Sequence, residues 1–248
     1  MAQQLGGLTA LGVVLSPLDG VGPRTDAVVA RISAAIGLGV MTDGEQLPSE
    51  IDLATALGVS TMTLRDALAV LRQRGLVETR RGRGGGSFVR TTQDAVAAQS
   101  LSRLRQLGVH DLRDLGDEHF AVAGAAAVLA TQRAVAADIT RLRSLAQRLI
   151  DSDDPVLCRR ADSRFQIEVA VCSQSARLTR SEVALQAELS AFRWLPQLSL
   201  DPRSEGERHL SLVRAIESED EATARRLAET HNAASMRQVI GLRIELAP

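Results

Sequence analysis

Lysine and tyrosine are absent from this 248-residue chain, so every strong cation is an arginine and no phenol is present to titrate or stack. Aromatic residues are scarce throughout, four Phe and one Trp, which leaves any core to Leu, Val, Ala and Ile. The two cysteines, Cys158 and Cys172, lie fourteen residues apart and match no zinc or redox spacing. That excludes a disulfide framework, and both read as small buried thiols in a reducing compartment. No long apolar run is present. The longest near the N-terminus, Leu11 to Leu15, is broken by Gly12 and is far too short to span a bilayer. No positive charge precedes Arg24, so no export signal is read and a cytoplasmic protein with no membrane partner is expected. An overall cationic excess is also missing. The net charge of −1, taken alone, argues against a nucleic-acid binder.

The charge that is present is segregated. Residues 23–90 hold nine arginines against seven acids, and from Arg72 to Arg90 six arginines face Glu78 alone. A basic stripe on a near-neutral chain suits selective binding to nucleic acid. The preceding residues 1–22, with five glycines, read as a flexible arm. Within the basic segment, Ser49 is a natural N-cap, and Asp52 three residues on gives a near match to a capping box. Ile51, Leu53, Ala54 and Leu57 are expected to form the buried face of that helix. Gly58 supplies a sharp turn. Ser60 then caps a second helix with Leu64, Ala67, Leu68 and Leu71 inside, and Gly75 ends it. Two helices joined so tightly fit a helix-turn-helix, whose second helix enters the major groove. Leu76–Thr79 and Ser87–Val89 read as two short strands around the glycine- and arginine-rich tip 80–86. A nucleotide-binding loop is the rival for that tip. No Lys-Ser/Thr pair follows it, and the glycine spacing does not fit the dinucleotide fingerprint.

Leu47-Pro48-Ser49-Glu50, then Gly58-Val59-Ser60 with Thr63-Leu64-Arg65-Asp66-Ala67-Leu68, and the wing Arg81-Gly82-Arg83-Gly84-Gly85-Gly86-Ser87-Phe88-Val89 resemble the GntR family of bacterial transcription regulators. The resemblance covers residues 24–90 and implies a dimeric, effector-responsive, winged helix-turn-helix regulator of double-stranded DNA. On that reading Thr61, Met62 and Thr63 face base edges, Arg65 takes a phosphate, and Arg81 and Arg83 take a backbone or minor-groove position. Ser49, Gly82 and Gly84 complete the expected DNA-facing set. Thr61 departs from the family, which often has an arginine there. Loss of a bidentate guanine contact, ~1–3 kcal/mol of discrimination, implies a different operator base or readout shifted to the wing.

From Ala95 onward apolar residues recur at helical spacing, and helices are expected at 95–107, 111–132, 138–152, 155–173, 177–194, 203–218 and 220–243. Asp154-Pro155 and Asp220-Glu221 are start signals. Gly108, Ser152–Pro155, Ser173–Ser175 and Pro196–Pro202 are the breaks. The fold expected is mainly α: a winged domain over 23–91 and an antiparallel bundle of about seven helices over 95–244 for effector binding and dimerisation. The segment Arg90–Asp94 is too short to leave the two halves independent.

A helical bundle after such a domain resembles the FadR-like branch, whose effector domain is termed FCD. Many members hold a metal through an acid and a histidine one turn apart plus two later histidines. Here the matching positions are Asp162, Gln166, His209 and His231. Asp162 and Gln166 share one helix face, and the two histidines lie 22 residues apart on the last two helices. Gln166 costs an imidazole, the better ligand for zinc or nickel, and leaves an amide oxygen. Beside the plain reading, in which each histidine merely caps or solvates a helix, two functional readings stay open. Asp162, His209 and His231 hold a divalent ion, with Gln166 or water as fourth ligand, or the site has lost its metal and these groups bind the effector directly. The family's arginine-glutamate pair in the helix at 111–132 is replaced by His119 and Ala123, so His119 is expected to hold an anionic effector weakly and with pH dependence. His110 reads as a solvated loop residue and Trp194 as a packing anchor at a helix end.

The resemblance implies a repressor governed by a small carboxylate, and no catalysis. Two rivals remain from the residues alone. A metal-dependent enzyme would use Asp162, His209 and His231 to activate water, but it lacks a further acid or base at a recognisable spacing and leaves the basic wing unexplained. A ligand-free architectural DNA-binding protein would leave the bundle nothing but dimerisation.

Overall fold

The computed structural model describes residues 24–37, 41, 43–82, 84–90 and 93–247. The chain divides into two compact units, Met1–Val96 and Ala97–Pro248. The boundary falls inside α4, just after the expected start of the second domain at residue 95. The expected arm over 1–22 lies outside the described residues.

In the first unit, α1 (Arg24–Gly37) buries Val28, Val29, Ile32, Ala35 and Ile36 and packs on α3. Helix α2 (Glu50–Leu57) starts where expected. Ser49 Oγ accepts from the Asp52 amide at 3.2 Å and donates to Asp52 Oδ2 at 2.6 Å. Leu53, Ala54 and Leu57 are buried, but Ile51 is 70% exposed, contrary to the expected inner face. At about 100° per residue, positions 53, 54 and 57 share one arc and position 51 falls outside it. Gly58 sits at φ 67, a left-handed position that a side chain would strain. Helix α3 (Thr61–Gln73) is capped by Ser60, whose Oγ accepts from the Thr63 amide at 3.1 Å. Its Leu64, Ala67, Leu68 and Leu71 are all buried. Strands β1 (Val77–Arg80) and β2 (Gly86–Val89) pair antiparallel with Val77 opposite Val89 and Arg80 opposite Gly86. Residues 44–47 lie along the other edge of β2, where Leu47 N donates to Ser87 O at 2.8 Å and Val89 N to Glu45 O at 2.8 Å. The hairpin tip closes with Gly85 N donating to Gly82 O at 2.8 Å. A Cβ on Gly85 would lie 2.5 Å from the Arg80 carbonyl oxygen, so the tip admits no side chain there.

The second unit comprises α4 (Gln93–Gln106), α5 (Val109–Arg133), α6 (Ala136–Ile150), α7 (Pro155–Cys172), α8 (Ala176–Arg193), a 3-10 turn at Pro196–Leu198, α9 (Pro202–Glu217) and α10 (Glu221–Glu245). Helices α5 and α6 begin two residues earlier than expected, because Asp111 and Asp138 act from the third helical position. Asp111 accepts from Gly108 N at 3.0 Å and Asp138 from Val135 N at 2.9 Å. Asp154 and Asp220 are N-caps as expected, and Asp201-Pro202 repeats the pattern at α9. Helix α10 lies along α5, α9 along α6, and α7 between α6 and α8. The aliphatic core forms two main clusters. One is built on Ala126, Ala127, Leu142, Phe165 and Val213, and the other on Leu104, Leu112, Leu189, Phe192 and Val239. Cys158 and Cys172 are free and buried. Burial pushes the Cys172 thiol up to about 12. Among the described residues, no helix is long and apolar enough to cross a membrane.

Candidate functional sites

The N-terminal end of α3 is open. Thr61 is exposed and Met62 is 67% exposed. Thr63 is half-buried, its hydroxyl 2.9 Å from Ser60 Oγ, so part of its hydrogen-bonding capacity goes to the cap. Arg65 is exposed and its Nε donates to Glu50 Oε2 at 2.7 Å. Ser49, the α2 cap, is also exposed. In the wing, Arg80 and Arg90 both pair with Glu78, at 2.7 and 3.6 Å, and Arg80 lies over the Phe88 ring at 4.3 Å. Arg81, Gly82 and Gly84 are exposed at the tip. Arg83 lies outside the described residues.

In the bundle, Asp162 on α7 is fully buried. His209 Nε2 approaches its Oδ1 at 2.8 Å, the Trp194 indole N–H donates to Oδ2 at 2.8 Å, and Arg193 Nη1 lies 3.0 Å from Oδ2. Arg193 Nη2 reaches on to Glu205 Oε2 at 3.0 Å, while Arg208 pairs with the other oxygen of Glu205. The Phe165 ring stacks on His209 with centroids 4.0 Å apart and planes 5° from parallel, which fixes the imidazole plane. His231 meets His209 edge-on at 5.3 Å and places Nδ1 3.7 Å from Glu205 Oε2. One ligand atom from each of Asp162, His209 and His231 lies within 4.8 Å of the other two. Burial alone would push the Asp162 carboxyl up. The Arg193 charge and the His209 hydrogen bond outweigh it and hold that carboxyl well below the usual carboxylate range. Burial, reinforced by Arg193 and His209, holds His231 well below the ordinary imidazole value, so this ring is neutral.

This centre borders a cavity of about 280 Å³ between α9 and α10. Gln166, His209 and His231 line it together with Arg193, Arg208 and Arg226. Leu212, Leu227 and Ala228 supply an apolar side, and Ser211, Thr230, Ser235 and Gln238 further polar groups. Three of the five expected pocket residues therefore line the cavity, and Asp162 lies behind them, bonded to His209. His119 does not join them. It is buried against α8, its Nε2 3.1 Å from Glu182 Oε1 and 3.3 Å from Gln186 Nε2, and it does not line this cavity.

Two further expectations change. His110 is solvated as expected but belongs to the first turn of α5, not to a loop, and pairs with Asp114 at 3.2 Å. Trp194 packs beside Leu149, Cys158 and Ala161, as an anchor should, yet its N–H also belongs to the Asp162 network. Sequence reasoning missed Arg193, Glu205 and Arg208. Their signal was available only as single charges on predicted helices, which most often face water. A second cluster, Asp138, Glu168 and Cys172, also brings ligand atoms within 4.8 Å, but Arg141 bonds both acids and accounts for it as an ion-pair group.

Comparison with known proteins agrees with both halves. Residues 24–86 match the gntR family of bacterial regulatory proteins, and residues 114–234 match the FCD domain. The chain is 43% identical to the HTH-type transcriptional regulator RmpR assigned in Mycobacterium gastri, over 84% of this chain and 77% of that one. It is 32% identical to the L-lactate dehydrogenase operon regulatory protein of Escherichia coli K12, over 63% of this chain and 61% of that one. The solved structure of E. coli McbR/YncC shares the fold with a TM-score of 0.53 at 18% identity, covering 91% of this chain and 99% of that one. These matches are to regulators of transcription, not to enzymes, and the chain belongs to the GntR family of bacterial DNA-binding regulators, with an FCD domain as its helical half.

Proposed function

We propose that the chain is a cytoplasmic, homodimeric repressor that grips its operator through α3 and the wing and releases it when a small carboxylate enters the cavity between α9 and α10. The observation that carries this reading is the convergence of Gln166, His209 and His231 with three arginines on one cavity in the FCD half. Thr61, Met62 and Thr63 would meet base edges, Arg65 a phosphate, and Arg81 and Arg83 the backbone beside the groove, with Ser49, Gly82 and Gly84 close to the duplex. A coupling of ~1–3 kcal/mol between effector and operator gives a ~5–150-fold change in affinity, enough to switch a gene.

Selection of bound fragments from genomic DNA, followed by footprinting, tests the DNA half. Met62→Ala is expected to relax preference at one base position, whereas Arg65→Ala weakens operator and unrelated DNA alike. Two variants that footprint like the parent would remove the groove assignment. Thermal melting with a panel of small carboxylates tests the other half, since a ligand at 100-fold its dissociation constant adds ~2.7 kcal/mol. His231→Ala should keep operator binding and blunt the response. Unaltered induction would remove the pocket assignment.

A further inference from the structure

The cation that already holds Asp162 is Arg193. Its two terminal nitrogens bridge Asp162 and Glu205, each contact at 3.0 Å. Trp194 and His209 complete the shell of Asp162, each at 2.8 Å. A carboxylate cannot donate, so His209 Nε2 carries the proton in that hydrogen bond and offers no lone pair on that side. Gln166 stands where the family resemblance implies an imidazole. Of the four positions, only His231 has a ring nitrogen, Nε2, that is buried without a partner. A divalent ion on Asp162 would have to take the place of a donor on one of its oxygens, the His209 N–H on Oδ1 or the Trp194 indole and Arg193 on Oδ2. It would then add two positive charges beside a buried arginine, at a large desolvation and repulsion cost. These residues do not fit a resident metal.

The same cavity suits an anion. Its lining carries Arg193, Arg208 and Arg226 against Glu205 alone. Arg193 and His231 both line it, and Arg193 Nε is a buried N–H without a partner. A buried N–H without an acceptor is costly, and an oxyanion supplies the acceptor.

We propose that this centre works without a metal: Arg193 fills the ion's role in holding Asp162, and the oxyanion of the effector is bound directly by Arg193 and Arg208 with His231 beside them. This rests on the cavity being the effector site. It adds the chemistry of recognition, a carboxylate or phosphate group read by guanidinium.

The test uses the full chain stripped with a chelator. Titration with zinc or nickel alone is expected to show no one-to-one binding, both for the parent and for Gln166→His, because Arg193 still occupies Asp162 in both. Stoichiometric metal on the parent, or gained by Gln166→His alone, overturns the proposal. In a second arm, melting is followed against acetate and against inorganic phosphate, which separates the two oxyanion sources. The stabilising shift is expected to be the same with and without chelator. Arg208→Ala, at an exposed position, should raise the concentration needed roughly tenfold or more. A shift that requires added metal overturns the proposal but leaves the cavity as effector site. A shift with neither anion, while an uncharged ligand from a wider panel does stabilise, likewise overturns only the proposal. No shift with any ligand overturns both.

Discussion

Two arginines meet acids in this chain under opposite conditions. Arg65 bonds Glu50 on the surface, with side chains 65% and 41% exposed, while Arg193 bonds Asp162 and Glu205 in an interior where all three are at most 4% exposed. Water competes for the first pair and screens it, so its net contribution to stability is small. The Glu50 hydrogen bond and charge keep Arg65 firmly protonated, and its guanidinium stays free to exchange a carboxylate for a phosphate. The second arginine has no such freedom, because withdrawing it leaves two carboxylates in a place that water does not reach. An arginine–carboxylate pair can therefore be exchanged at the first site but not at the second, where Arg193 can meet an anion only while keeping both acids.

Arg193→Met tests that contrast most severely. It removes the charge but keeps the length, leaving Asp162 with only the His209 and Trp194 hydrogen bonds and Glu205 with only the solvent-exposed Arg208 as an ion-pair partner. A loss of ~3–5 kcal/mol is expected in urea unfolding of the full chain. Glu205→Gln should cost less, because Arg193 keeps Asp162 and Arg208 is exposed to water. Arg65→Ala, the surface counterpart, should leave the unfolding midpoint where it is. Equal effects of the two arginine substitutions would mean that water enters the bundle centre and that the distinction is false.

Proton uptake sharpens the comparison on a smaller scale. The unfolded His231 imidazole protonates below about pH 6.5, whereas the folded ring, held neutral by burial and Arg193, protonates only far lower. Between those values the unfolded chain binds more protons. The His231 contribution is therefore full above about pH 6.5 and lost as pH falls, with a slope of at most ~1.4 kcal/mol per pH unit. Asp162 works in the same direction but later: its contribution is complete above about pH 4 and is lost only as pH falls through its depressed folded value. His231→Gln should thus flatten the stability profile between about pH 6.5 and 4. Persistence of the full slope in that variant would assign it to other groups.

The two halves were also unequally legible. The winged unit could be read from local rules. Ser49 and Ser60 are caps, Gly58 takes its left-handed φ without strain, and Leu64, Ala67, Leu68 and Leu71 follow the helical period. The one inner-face error, Ile51, arose because an eight-residue helix is too short for periodicity to define its buried arc. In the bundle, local rules again found the helices, and Asp111 and Asp138 misled only by sitting inside the first turn. The site was different. Asp162, His209 and His231 were visible through resemblance, but Arg193 and Glu205 were not, since nothing local distinguishes a charge that a neighbouring helix will bury from one that water will keep. His119 failed for the same reason: it lies in the expected helix, but its side chain goes to Glu182 and Gln186 on α8.

The smallest expected effects belong to the surface pair and decide what Glu50 is for. Each phosphate contact contributes about 0.9 to the slope of log affinity against log salt. Arg65→Ala should therefore lower that slope by about one unit on operator and unrelated DNA alike. Glu50→Gln separates two roles for the acid. If Glu50 merely competes with phosphate for Arg65, removing its charge should strengthen binding to all DNA modestly and leave the slope unchanged or steeper. If it holds the guanidinium in the pose that the duplex needs, the same substitution should weaken the operator more than unrelated DNA. The first outcome is expected, because the Arg65 and Glu50 side chains are both open to solvent. The second would make the exposed pair a positioning device, closer in character to Arg193 than its exposure suggests.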